Sequence, residues 1–494
     1  MPAALHTSLY AIYVETGNED RCLLVHGYTA AMDLVSRNVV SFLREGGAVR
    51  EDSASGGHQV KADTINLLKS RGYLTNLDSD EEREYVSGLV GFFHRAASRI
   101  SSFLFLVAYD CNFTCPYCFE GGISGFGTRW SKRIMTKDLV DIAYRAMLEI
   151  NPVRALHNNN ITLFGGEPLL PENHDIVSYI VERGTRRGYV FTAVTNGYTL
   201  EHYADLLKPG MIQSLQISLD GNRDRHDRLR VHRTEGKTFE RIMENIDMAL
   251  RSGVSVCVRI NTVGGGRDDL LDLYLEFIRR GWVRTGRFSA HRSRLKFASG
   301  LPHCDLHALP TEGKNVCTVP GVSDPDPPEV EGRRAIYRLD CAAGKESRED
   351  SYEADFEVRQ KVRRFFGGES WALFRSDFCG ARTGMVVFDP EGDMYACLES
   401  VGRREHRIGS YHDGLEMEEC ELEKWREWES RDAECFTCKY LLFCGGGCAA
   451  SSILGNDGAE RCGNFQAVFR NAVAETYREF SRTRAVPVNG RVPG

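Results

Sequence analysis

Three cysteines spaced for joint ligation, Cys111, Cys115 and Cys118, lie in the stretch Cys111-Asn112-Phe113-Thr114-Cys115-Pro116-Tyr117-Cys118-Phe119-Glu120, directly after the apolar run Phe103 to Ala108. Three thiolates are one donor short of a closed tetrahedral site. A structural zinc takes four protein ligands, and an electron-transfer 4Fe-4S cluster takes four cysteines. The motif therefore leaves one metal corner free for a group that is not protein. The alternative is a structural metal knot or a set of unrelated thiols.

A second cysteine field follows. Cys379 is succeeded after twelve residues by Gly392 and after four more by Cys397; then come Cys435-x2-Cys438-x5-Cys444-x3-Cys448 and a last Cys462. Four cysteines in close pairs also make zinc sites, so zinc stands as the alternative to iron here. Between the two fields, polar elements follow apolar runs: Gly165-Gly166-Glu167-Pro168, Thr195-Asn196-Gly197, Ser218-Leu219-Asp220-Gly221 and His226-Asp227-Arg228-Leu229-Arg230. Glycines let backbone approach a ligand closely, whereas Thr195-Asn196-Gly197 reads equally well as a plain turn. Arg259, in Val258-Arg259-Ile260-Asn261, sits on a buried-looking strand and needs a ligand or an ion-pair partner.

The CxxxCxxC of Cys111, Cys115 and Cys118, with Tyr117 before its last cysteine, resembles the signature of the radical S-adenosylmethionine (SAM) enzymes. The resemblance implies a 4Fe-4S cluster whose open iron chelates the amino and carboxylate groups of SAM. An electron from that cluster splits SAM into methionine and a 5′-deoxyadenosyl radical. Gly165, Gly166 and Glu167 match the family's GGEP element, which cups the amino group of SAM. In relatives with SLDG and HDxxR at this interval the serine and the final arginine hold SAM, which carries over to Ser218 and Arg230. An arginine fork suits a carboxylate because it bonds both oxygens. Tyr117 and Arg259 complete the expected cofactor contacts.

The second field resembles the seven-cysteine SPASM extension of radical SAM enzymes that modify peptides. The resemblance implies two auxiliary 4Fe-4S clusters, one on Cys435, Cys438, Cys444 and Cys462, the other on Cys379, Cys397 and Cys448, making three clusters in all. Gly445, Gly446 and Gly447 give the chain room to pass from one to the other. The second set is one ligand short. Relatives that modify sulfatases carry a further cysteine just before the position of Cys379, whereas here the nearest upstream is Cys341, 38 positions away. Cys341, another group, or an open iron fills the place. Those relatives also carry a catalytic Asp immediately after the cysteine that Cys397 matches; here Leu398 stands there and Glu399 follows, a displaced candidate for the catalytic base.

These residues need elements to position them. From Phe103 to about Gly300, apolar strand candidates (Phe103 to Ala108, Ile161 to Phe164, Val190 to Val194, Leu215 to Leu219, Val254 to Ile260, Arg287 to Ala290) alternate with helical segments. That alternation predicts a parallel sheet with crossover helices, and chemistry at the carboxyl ends of its strands. The fold class expected is α/β: a partial (β/α)6 radical SAM barrel, by resemblance, with an N-terminal α+β winged-helix-like module and a C-terminal SPASM iron-sulfur domain. Residues 1–77 are expected to form the module. Leu9 to Val14 and Cys22 to Val25 read as strands; Met32, Val35, Val39, Phe42 and Leu43 recur at helical spacing. Such modules take up a leader peptide as an added edge strand; the alternative is a structural prefix. The barrel core is expected over 78–300, opening with a helix from Asp78 to Ser101. A linker follows over 301–370, where Pro320 to Pro328 breaks regular structure and Lys345 to Arg364 reads as a solvated helix. The SPASM domain takes 371–494.

With 42% hydrophobic and 27% charged residues among 494, the chain has an ordinary globular composition. A net charge of -7 argues against a general nucleic-acid partner, and no apolar run approaches a membrane span. No secretory signal is read in Met1 to Gly17, so the sixteen cysteines fit a reducing, cytoplasmic setting. The function expected from the resemblance is maturation of a ribosomally made precursor peptide carrying a leader sequence, by hydrogen abstraction and an intramolecular crosslink. An electron donor such as flavodoxin or ferredoxin is implied. The alternatives are an anaerobic sulfatase-maturing enzyme and a peptide epimerase; an enzyme of small-molecule cofactor synthesis and a non-catalytic metal-stabilised peptide binder are disfavoured.

Overall fold

The computed structural model describes residues 5–47, 60–118, 120, 132–262, 267–294, 352–368, 374–427, 433–454 and 465–483. The chain divides into two units, one of Met1–Arg99, Glu353–Thr383 and Arg426–Gly494, the other of Ile100–Tyr352 and Gly384–Trp425. Most of the expected linker, including Pro320 to Pro328, lies outside the described residues, which take it up again in a helix over Tyr352–Phe366.

In the first unit, strand β1 (His6–Thr7) precedes an antiparallel meander of β2 (Ala11–Glu15), β3 (Arg21–His26) and β4 (Met32–Ser36), and β1 pairs with β5 (Leu74–Thr75). Both faces of the meander are apolar, because alternate residues point to opposite sides. Ala11, Cys22, Leu24 and Val35 pack with Val39, Leu43 and Leu68 of helices Arg37–Arg44 and Ala62–Ser70. Ile12, Val14, Leu23, Val25 and Met32 pack with Val358 and Val362 of helix Tyr352–Phe366 and with Phe469 and Val473 of helix Phe465–Thr483. The helical spacing of Met32, Val35 and Val39 is misleading: Met32–Ser36 is a strand, and the helix starts only at Arg37. The buried carboxylate of Asp33 explains the misreading, since it accepts from Arg71 Nε at 2.8 Å and Tyr73 OH at 2.9 Å across the fold, a partnership invisible in local periodicity. Helix Ser79–Ser98 starts at a capping box in which Asp78 accepts from the Asp80 and Glu81 amides and Glu81 bonds back to the Asp78 amide.

The second unit holds a ten-stranded sheet. Strands β6 (Ser102–Leu106), β7 (Asn160–Phe164), β8 (Val190–Thr195), β9 (Ile212–Leu219), β10 (Ser255–Thr262) and β11 (Phe288–Arg294) are parallel neighbours in chain order, the six strands expected. The six do not close into a ring: β12 (Met385–Phe388) pairs in parallel with the free side of β6, and β13 (Asp393–Tyr395), β14 (Gly409–Ser410) and β15 (Glu416–Met417) continue antiparallel. One face meets the crossover helices: a side chain on Gly184 would strike Phe191, and one on Gly197 would touch Ile217 and Ile242. By alternation the other face carries Thr162, Thr192, Ser214, Gln216, Ser218, Cys257, Arg259 and His291, mostly polar and half-buried. Among the described residues no helix is long and apolar enough to cross a membrane.

His26, fully buried with Nε2 3.0 Å from Ser8 Oγ, gives the first unit an acid limit. Burial pushes its pKa down to about 3, so the folded ring stays neutral while an unfolded one, with a pKa of about 6.5, takes up a proton. Its contribution is complete above pH 6.5 and falls by about 1.4 kcal/mol per unit below it, roughly 2 kcal/mol at pH 5. Urea midpoints of the full chain at pH 7 and pH 5 are expected to differ by less in His26→Gln than in the parent.

Candidate functional site

The three-cysteine loop leaves the carboxyl end of β6 and is clamped on two sides. On one side Gly166 N donates to Ala108 O at 3.0 Å and Glu167 N to Asp110 O at 2.8 Å. A Cβ on Gly165, whose φ is +142°, would lie 2.2 Å from Ala108 O, and one on Gly166 would lie 2.4 Å from the carbonyl oxygens of Tyr109 and Asp110. The close approach these glycines permit is thus to the chain entering the cysteine loop, a backbone contact that no side chain tolerates. On the other side Arg233 Nη1 donates to Asp110 Oδ1 at 2.9 Å, Arg233 N to Asn112 O at 2.9 Å and Thr114 N to Val231 O at 2.9 Å.

Glu167, completely buried, ties three strand ends together. Its Oε1 accepts from Thr195 Oγ1 at 2.6 Å and Leu169 N at 2.9 Å, and its Oε2 from Asn196 N at 2.6 Å. Burial raises its pKa and these donors oppose the rise. Asn196 in turn donates from Nδ2 to Asn112 Oδ1 at 2.8 Å and stands 3.9 Å from Cys111 Sγ. Thr195-Asn196-Gly197 is therefore both a turn, with Gly197 at φ +81°, and a support of the cysteine loop. Nothing local in the sequence distinguishes the two.

The opposite rim is a chain of charge and hydroxyl. Tyr117 OH donates to Asp220 and accepts from Arg230 Nη1 at 2.9 Å, and Asn261 Nδ2 donates to Asp220 Oδ1 at 3.1 Å. Arg230 is buried, and its Nε has no hydrogen-bond partner among the described residues. Burial alone would lower its pKa, but Tyr117, Cys115 and Asp220 outweigh that and hold it charged. Burial pushes Asp220 up and His226 down. Asp227 serves elsewhere: its Oδ1 accepts from the amides of Thr238 and Phe239 at 2.9 Å, capping helix Phe239–Arg251 from outside that helix. Asp220, Asn261 and Asn196 received no role from sequence reasoning, because their partners lie on other strands.

Ser218 and Arg259 are register partners on β9 and β10 and share the face away from the helices. Cys397 and Glu399 belong to the same unit; Leu398 packs with Leu104, Leu106 and Tyr109, and Glu399 is half-buried in the single turn Leu398–Ser400. In the first unit, Arg375 N donates to Leu442 O at 2.7 Å and Arg375 Nε to Phe443 O at 3.0 Å, bringing the Cys379 segment against the chain ahead of Cys444. Arg382, buried, feels Asp377, Cys379, Cys448 and Cys435. Cys438 N donates to Cys435 O at 3.0 Å, and Gly445, Gly446 and Gly447 all adopt positive φ. Cys462 lies outside the described residues.

Among the described residues no three His, Cys, Asp or Glu side chains stand in metal-ligand geometry. The donors of the three-cysteine loop are nevertheless neighbours: burial foremost, then Glu167, Cys115 and Cys118, push up the pKa of Cys111. Like charges at that range hold thiolates apart until cations join them. Three thiols on one clamped loop, beside a buried guanidinium with an unused donor, fit a cluster bound on three corners and a carboxylate ligand at the fourth. Gly166→Ala is expected to lower the iron retained after anaerobic reconstitution, measured as iron per folded chain.

Residues 105–277 match the radical SAM superfamily. A GTP 3′,8-cyclase of Edwardsiella ictaluri (strain 93-146) is 30% identical over 174 residues, 34% of this chain and 49% of that protein. A cysteine-type anaerobic sulfatase-maturating enzyme of Clostridium novyi (strain NT) is 31% identical over 148 residues, 29% of this chain and 38% of that protein. The chain spans about half the length of the curated relatives it matches, or less. The solved structure of native anSMEcpe with bound AdoMet and Cp18Cys peptide superposes with a TM-score of 0.50 at 16% identity, covering 78% of this chain and 98% of that one, a likeness of fold. With the three-cysteine loop at its head and parallel strands around it, this part of the chain is a radical SAM domain, of the superfamily of radical SAM enzymes.

Proposed function

We propose that the chain is a radical SAM maturase that modifies side chains of a ribosomally made precursor peptide, forming an intramolecular thioether, ether or carbon-carbon crosslink. The observation that carries it is the buried, incompletely bonded Arg230 beside a three-thiol loop. Cys111, Cys115 and Cys118 would hold three irons of a 4Fe-4S cluster, and Arg230 with Ser218 the carboxylate of SAM. When bound, these cofactors supply the 5′-deoxyadenosyl radical that removes a hydrogen atom from the substrate. Tyr117 and Asp220 keep the guanidinium oriented, and Glu167 keeps the loop ends in register.

A peptide substrate is favoured by the peptide bound in the anSMEcpe structure and by the unit outside 105–277. In that unit, among the described residues, the meander leaves β4 paired on one side only, an edge at which a leader strand would add. The neighbourhood of Arg382, which takes in Cys379, Cys435 and Cys448, supports a SPASM-type site in that unit, with the auxiliary-cluster ligands as expected from the sequence. Flavodoxin or ferredoxin would supply the electron. A sulfatase-maturing activity is the second reading, favoured by the Clostridium novyi relative, with Glu399 in place of the missing Asp.

Anaerobically reconstituted protein is expected to hold about twelve irons and to cleave SAM; replacing Cys111, Cys115 and Cys118 by Ala is expected to remove about a third of the iron and all cleavage. Undiminished cleavage in that variant would refute the assignment. With a precursor peptide, mass spectrometry is expected to show a loss of about two mass units per 5′-deoxyadenosine formed. An unchanged mass with deuterium uptake would point to epimerisation, and an aldehyde from Cys or Ser to the second reading.

A further inference from the structure

Below the rim, the helix-free face of the parallel strands holds a second cation besides Arg230. Asn261 marks the rim through its bond to Asp220. Arg259 is the next residue toward the strand's start on the same face, about 7 Å deeper at roughly 3.3 Å per residue. Its Nη2 donates to Ser293 Oγ at 2.7 Å, its Nε is buried without a partner, and it makes no ion pair among the described residues. Its strand neighbours on that face are Ser218 on β9 and His291 on β11, and His291 Nδ1 is 3.3 Å from the thiol of Cys257, one step further down. Among the described residues of the six parallel strands, that face carries no Asp or Glu. Among the described residues, this half-buried guanidinium, with hydroxyl, imidazole and thiol for neighbours, has donors to spare and no anion to receive them, an arrangement that desolvation makes costly unless an anion arrives.

We propose that Arg259, with Ser293 and His291, is a carboxylate seat for the substrate, separate from the Arg230 position. It would hold an acidic side chain or terminal carboxylate of the peptide beneath SAM, setting which residue of the substrate is presented for hydrogen abstraction. The proposal deepens the maturase reading and rests on it only for the carrier of the carboxylate.

Cys257 reports on the seat directly. In reconstituted full-length protein, the rates at which Cys257 is alkylated by iodoacetate and by iodoacetamide are compared by peptide mass spectrometry. The iodoacetate-to-iodoacetamide ratio is expected to fall about tenfold in Arg259→Gln, as loss of a cation lowers the local concentration of an anion, and to stay within about threefold of the parent in Arg259→Lys. N-acetyl-aspartate is expected to protect Cys257 from iodoacetamide in the parent but not in Arg259→Gln, with N-acetyl-asparagine protecting neither. An unchanged alkylation ratio, protection by inorganic phosphate but not by N-acetyl-aspartate, or loss of SAM binding in Arg259→Lys would overturn the proposal. If neither parent nor variants bind SAM while the ratio still falls, the seat stands and the maturase reading fails.

Discussion

A single buried carboxylate governs the geometry of the radical SAM domain. Glu167 leaves β7 and receives the hydroxyl of Thr195 and the amide of Asn196 from β8, while its own amide holds the carbonyl of Asp110 at the end of β6. Three strand ends are thereby fixed to one another through one residue, two of them by its carboxylate and its place after β7 and the third by its amide. A carboxylate with no exposure is tolerated only because these donors satisfy it. The cysteine loop inherits its position from this knot, and Gly165 and Gly166 make the knot possible by letting backbone meet backbone.

Charge is distributed around the loop with a purpose that follows from burial. Arg230, Tyr117 and Asp220 form a row in which Tyr117 and Asp220 favour the charged guanidinium, so it stays protonated and held in place with its buried Nε unspent among the described residues. Preorganised donors of this kind cost little rearrangement when an anion binds. The strands behind the rim repeat the theme at greater depth, where Arg259 faces hydroxyls in place of carboxylates.

The first unit rests on a different device. A three-stranded meander with two apolar faces needs cover on both, and here one is covered by helices that follow it in the chain and the other by helices from 352 onward and 465 onward. The long sequence separation of those partners makes the N-terminal strands dependent on segments that flank the late cysteines.

The residues by themselves determined the six parallel strands and the elements at their ends, because period-two apolar runs such as Ile161 to Phe164 and Leu215 to Leu219 are local patterns and the motifs sit just beyond them. The three-cysteine loop was legible for the same reason: its ligands are neighbours in sequence. Met32–Ser36 was not legible as a strand, since its spacing imitates a helix and the partners of Asp33, Arg71 and Tyr73, come from far along the chain. The support given by Asn196, the remote cap by Asp227 and the lack of a carboxylate partner for Arg259 among the described residues likewise depend on which strands end side by side. Spacing along a chain reports what one segment can bind; only the tertiary structure decides what another segment brings to it, because a hydrogen bond or an unpaired charge is a relation between residues that the fold, and not their order, sets next to each other.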